Sequence, residues 1–191
     1  MAVQERPQAI GVVYHVTIRG ARQLLIFFDD RDRRLFLWLL VRVVKKFGLR
    51  CYAWCLMDNH FHLLTEITEI NLSNAMYKLN YAYACWINRR HGFSGHAFDR
   101  RFSAREIETT PHLMEASRYV VLNPVRAGAC ERPDDYAWSS YRGMIGLEPA
   151  LFGESDWLLA QFGRTRERAI ENYVEFVTDG MEVGAPLATK A

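Results

Sequence analysis

Apolar residues recur along this chain with two periods, and the switches between them divide it into elements. From Val12 to Arg19, Val12, Tyr14, Val16 and Ile18 alternate with other residues and share one face of a predicted strand. Gly20 and Ala21 break it, and Leu24 to Phe28 is a second short apolar run. Asp29 or Asp30 suits the N-cap of a helix from Arg31 to Phe47, with Leu35, Trp38, Leu39 and Val43 on one stripe and Gly48 closing it. Leu49 to Met57 and His60 to Glu66 read as strands joined by a tight Asp58-Asn59 turn. A second helix starts at Asn71 or Ser73, repeats Leu72, Ala75, Met76, Leu79, Tyr83, Trp86 and Ile87 at helical spacing, and ends at Gly92. Ala97 to Ile107 returns to strand.

Strand, helix, strand, strand, helix, strand is the order of an α+β, ferredoxin-like (split β-α-β) fold. Its antiparallel sheet would have the first and third strands at the centre. Two helices would cover one face and leave the other open for a site or a partner. A third helix, capped by Thr110 with Pro111 at its first position, should stop near Leu122 because Pro124 cannot continue the ladder. The aromatic-rich stretch from Pro133 to Tyr141 reads as packing anchors, and two further helices are expected at Asp156–Phe162 and Thr165–Val177. The expected organisation is a tail over 1–9, one domain over 10–148, a helical extension over 149–178 and a flexible tail over 179–191.

Composition narrows the class without naming it. The 191 residues are 50% hydrophobic and 24% charged with net charge +2, as in ordinary globular proteins. Neither a membrane-spanning run nor a secretory leader is visible, so the expected location is cytoplasmic. Cys51, Cys55, Cys85 and Cys130 include no CxxC pair. A zinc site of Cys51, Cys55, His60 and His62 is disfavoured by its loose spacing, and the first two read better as small strand hydrophobes. Charge is uneven: Arg89, Arg90, Arg100, Arg101 and Arg105 fall in one stretch with Asp99 as its only acid, interleaved with Phe93, Phe98 and Phe102. Arginines for phosphates and aromatics for bases suit single-stranded nucleic acid, although a solvated loop can look the same.

The candidate chemistry begins with His60 and His62. One residue apart on a strand, they point the same way while Phe61 points to the other face, giving two thirds of a cation site. Tyr119 and Asn123 are four apart on the third helix, neighbours at the edge of a stripe formed by Leu113, Ala116 and Val120. A tyrosine oxygen is a slow nucleophile unaided, and a divalent cation at the histidines would assist it at a phosphate. The Asn123 carbonyl oxygen suits magnesium or manganese. Each residue alone has a plainer structural reading; together they share one chemical purpose.

The run Cys55-Leu56-Met57-Asp58-Asn59-His60-Phe61-His62-Leu63-Leu64 resembles the histidine–hydrophobe–histidine (HUH) motif of single-tyrosine transposases of insertion sequences. The run Tyr119-Val120-Val121-Leu122-Asn123-Pro124-Val125-Arg126-Ala127-Gly128 resembles their tyrosine helix. The likeness is greatest to the REP-associated branch, with Tyr14-His15-Val16-Thr17, Phe98 to Phe102 and Trp138-Ser139-Ser140-Tyr141 in further agreement. The resemblance implies a metal-dependent single-strand DNA endonuclease and strand-transferase. His60, His62 and Asn123 would hold Mg2+ or Mn2+, and Tyr119 would form a 5′-phosphotyrosine beside a DNA hairpin. Arg89, Arg90, Arg100, Arg101 and Arg105, with Arg118 and Arg126, would hold the hairpin. Such proteins occur as monomers and as homodimers, and this one would be nucleoid-associated when bound. The family usually has proline where Asp58 stands, which keeps a second function open: a domesticated module that binds a DNA or RNA hairpin and does not cut. A replication or conjugation initiator of the same chemistry would need more chain than 191 residues offer.

Overall fold

The computed structural model describes residues 8–99 and 101–182. Arg100, most of the expected N-terminal tail and the end of the expected C-terminal tail lie outside them. Four strands, β1 (Val13–Arg19), β2 (Arg50–Met57), β3 (His60–Glu66) and β4 (Ser103–Ile107), form one sheet in the order β2-β3-β1-β4, each pair antiparallel. Helices α1 (Asp30–Phe47) and α2 (Leu72–His91) complete the predicted split order, with β3 and β1 central. Asp29 caps α1 by accepting from the amides of Arg31 and Asp32, while Gly48 and Gly92 close α1 and α2 at φ 61° and 69°.

The stripe of α1 differs from the expected one. Phe36, Leu40, Val43 and Val44 face the core, whereas Trp38 is 54% exposed beneath the Arg42 guanidinium. Leucines and phenylalanine fill so many positions of α1 that two adjacent stripes fit the period equally, and packing chooses. The first core joins this helix to Leu79 and Tyr83 of α2 and to Tyr14, Val16, Ile18, Trp54, Leu56, Phe61 and Leu63 of the sheet. The apolar run at Leu24–Phe28 is no strand; Ile26 and Phe27 sink into this core while Leu24 and Leu25 stay exposed. β4 is also shorter than expected: among the described residues before Ser103, pairing is limited to an isolated bridge between Gly20 and Phe98.

The opposite face is not open, contrary to expectation. Helix α3 (Thr110–Arg126), α4 (Tyr141–Met144), α5 (Glu154–Leu159) and α6 (Arg166–Glu182) build a second core over it, with Leu113, Val120, Val121, Leu158, Tyr173 and Val177 packed on Tyr52, Cys55, Met57 and Leu64. Helix α6 continues through the point where a tail was expected. Thr109, not Thr110, caps α3 by accepting from the His112 amide. The helix also passes Pro124: the proline deletes one rung, yet a further turn forms until Gly128 (φ 70°) ends it and the Ala129 amide reaches the Pro124 carbonyl. The aromatic stretch after it, expected to pack as loop anchors, also pairs with the sheet edge. Trp138 and Ser140 exchange backbone bonds with Leu56 and Trp54, and the Tyr136 hydroxyl donates to the Leu56 carbonyl at 2.7 Å.

Candidate active site

At the His60 end of the sheet the second core, which reaches Cys55 and Met57 on β2, borders a polar patch on β3 and β1. There β1 and β3 pair with Thr17 opposite His62 and Arg19 opposite His60, while Arg105 of β4 stands opposite His15. Alternation puts His15, Thr17 and Arg19 on the face that His60 and His62 share. Helix α3 crosses this polar patch and sets the Tyr119 ring 5.8 Å from His62 and 5.7 Å from His15, edge-on to both. The site is thus assembled within one chain.

Each prospective cation ligand has its donor side occupied. His60 Nδ1 lies 2.6 Å from Asn59 Oδ1, and an amide oxygen only accepts. The proton is therefore on His60 Nδ1, and Nε2 keeps its lone pair. Asn123 Nδ2 donates to the Tyr119 carbonyl at 2.9 Å, one turn back, which leaves Oδ1 free to accept. His62 is 4% exposed, with Nδ1 2.9 Å from His15 Nε2 and 3.2 Å from Thr17 Oγ1. Its Nε2 is buried without a hydrogen-bond partner. An orphaned nitrogen this deep needs an explanation, and a ligand is one.

Burial keeps these rings neutral. It lowers His60 to about 4, helped by Arg19 and opposed by Asp58. It lowers His15 to about 4, helped by Arg105 and His112. It lowers His62 well below the ordinary value, with His15, His60 and Arg19 adding repulsion and the Asn123 side chain pulling the other way. Neutral imidazoles are what metal coordination requires. Among the described residues no three His, Cys, Asp or Glu side chains group as a metal site. The set here, two imidazoles and one amide, is a mixed nitrogen and oxygen set that fits a cation completing its shell with other oxygens.

The remaining candidates separate by partner. Arg126 holds its guanidinium 5.1 Å from the Tyr119 ring centroid, Arg105 lies on the His15 side, and Arg89 and Arg101 are exposed. Arg90 is committed to Asp29 and to the fully buried Asp32, clamping the end of α2 to the start of α1. Arg118 stacks 4.3 Å over Phe176, donates to its carbonyl and pairs with Glu115, tying α6 to α3. Phe98 and Phe102 pack into the first core, and only Phe93 of the three presents a ring, 49% exposed beside Phe28 and His91. Cys51 and Cys55 belong to different cores, and burial pushes both thiols up, so they hold their protons as small hydrophobes rather than joining a zinc site. Asp58 pairs with Arg33, which is sandwiched between Phe27 and Trp138. Sequence reasoning passed over His15, Thr17, Arg19 and Asn59 as site residues. The signal was present in β1, whose non-core alternates are His15, Thr17 and Arg19.

The sequence of this chain matches the family described as "Transposase IS200 like" over residues 9–123. The chain belongs to the IS200-like transposase family. No curated protein sequence matches it. Among solved structures this transposase is similar to a REP-associated tyrosine transposase bound to a REP hairpin, with 18% identity and a TM-score of 0.64. The match covers 78% of this chain and 89% of that one, which establishes the shared fold. Among the described residues of the transposase no helix is long and apolar enough to cross a membrane.

Proposed function

We propose that this IS200-like transposase nicks and rejoins single-stranded DNA beside hairpins, as a REP-associated member of its family, with Tyr119 as nucleophile. The observation that carries the reading is the buried His62 Nε2, without a hydrogen-bond partner beside the Tyr119 ring, with His60 Nε2 left open and the Asn123 side chain close to His62. His60, His62 and Asn123 would hold a divalent cation, Mg2+ or Mn2+. When bound, it would neutralise the scissile phosphate and stabilise the leaving oxygen. The Tyr119 oxygen attacks phosphorus, the P–O3′ bond breaks, and the phenolic proton ends on the freed 3′-hydroxyl. One phosphodiester becomes another, a 5′-phosphotyrosine, so rejoining to a 3′-hydroxyl needs no nucleotide cofactor. Arg126 lies against the ring whose oxygen gains negative charge, and Arg19 and Arg105 add positive charge on the same sheet face for backbone phosphates. The hairpin in the similar structure supports a hairpin partner, and the assembly of the site in one chain supports attack in cis.

Labelled single strands carrying a hairpin, incubated with the protein and Mn2+ and run on a denaturing gel, test this. The wild type should give a covalent adduct that chelator abolishes and Tyr119→Phe does not form. Hairpin binding with no adduct under any divalent cation would instead assign a binding module.

A further inference from the structure

The two-histidine motif leaves unexplained why a third imidazole is buried against it. His15 stacks on His62 with ring centroids 5.1 Å apart and an interplanar angle of 26°. Its Nε2 is 2.9 Å from His62 Nδ1, and Thr17 Oγ1 supports the same nitrogen at 3.2 Å. We propose that His15, with Thr17, is a positioning residue that holds His62 in its Nδ1–H tautomer and so keeps His62 Nε2 as a lone pair for the cation. The inference rests on the proposed cation site.

A neutral imidazole carries one N–H, and the two tautomers of His62 are not equivalent here. With the proton on Nε2, the buried donor would have the Asn123 side chain alone to turn to, and the site would lose a ligand nitrogen. With the proton on Nδ1, the donor meets two acceptors, His15 Nε2 and Thr17 Oγ1. His15 must then carry its own proton on Nδ1, so its Nε2 is occupied by His62 and is not itself a ligand. Asn59 does the same for His60 from the adjacent position in the chain. The orienter of His62 comes from another strand, so the register of β1 against β3 sets the state of the ligand. Partners that fix the tautomer of a metal-binding histidine are a general requirement of such sites.

Long-range 1H–15N correlation spectra of the metal-free, 15N-labelled protein read the tautomer directly. The wild type should show the His62 proton on Nδ1. His15→Leu should mix the tautomers and weaken Mn2+ binding, followed by the electron paramagnetic resonance of free Mn2+, by about 10- to 100-fold. His15→Gln, which keeps an acceptor, should retain most of both. A His62 proton on Nε2 in the wild type overturns the positioning role, and that reading needs no variant to fold. A folded His15→Leu that binds Mn2+ as the wild type does overturns it as well. A wild type with the expected tautomer that binds no Mn2+ overturns the cation site itself, and with it the purpose assigned to His15.

Discussion

The two faces of the sheet use the same strands for opposite ends. Toward α1 and α2, β1 and β3 present Tyr14, Val16, Ile18, Phe61 and Leu63, which meet Phe36, Leu40 and Tyr83 in a continuous apolar core. Toward α3 the same strands present His62, buried, and His15, Thr17 and His60, partly covered by the helix, with Arg19 exposed at the end. A polar face in solvent would charge and discharge its histidines near their ordinary values. A polar face roofed by Tyr119 keeps them neutral and leaves one nitrogen without a partner, so the apolar face supplies rigidity and the enclosed polar face supplies reactivity.

The comparison breaks most visibly on the apolar side. Phe36 is fully buried, and Phe36→Ala should cost about 3–5 kcal/mol in a urea melt while the adduct yield per folded molecule stays the same. A cost below about 1 kcal/mol would mean that this face does not carry the fold.

The polar face should announce itself through pH. His15 and His60 fall from 6.5 to about 4 on folding, so between those values the unfolded chain binds more protons than the native one. Stability is therefore present above 6.5 and lost as the pH falls toward 4, at about 1.4 kcal/mol per pH unit for each ring held neutral. Thermal midpoints of the metal-free protein across this window measure it. A flat profile would show the face to be open to water.

Smaller effects sort the arginines. Arg105→Ala and Arg126→Ala should each weaken hairpin binding and reduce the salt slope of log K by about 1. Arg118→Ala should leave both unchanged and lower stability by about 1 kcal/mol through the lost contacts to Phe176. The smallest effect belongs to Asp58, whose side chain is 67% exposed. Asp58→Ala should cost about 0.5–1 kcal/mol and leave adduct formation unaltered, because its partner is Arg33 rather than a cation ligand.

The split fold was legible because apolar periods mark β1, α1 and α2, Asp58-Asn59 marks the turn between β2 and β3, and Asp29, Gly48 and Gly92 mark helix ends. His60, His62, Tyr119 and Asn123 were legible from residue type and spacing alone. What could not be read was long-range. Nothing local told Phe36 from Leu35 as the inward residue of α1, or said that α6 would close the second face and draw in Arg118. Pro124 misled about the end of α3 because one lost rung in a last turn is tolerated when Leu122 and Pro124 are buried beneath it. His15 escaped notice because its role depends on strand register, which brings it to His62 from 47 residues away.

The most direct test of the central claim is where the DNA ends up. Proteolysis of the Mn2+-dependent adduct and mass spectrometry of its peptides should find a single modified residue, Tyr119, joined to the 5′-phosphate of the cleaved strand. A 5′-phosphate on any other side chain, or cleavage with no linked peptide, would contradict the account.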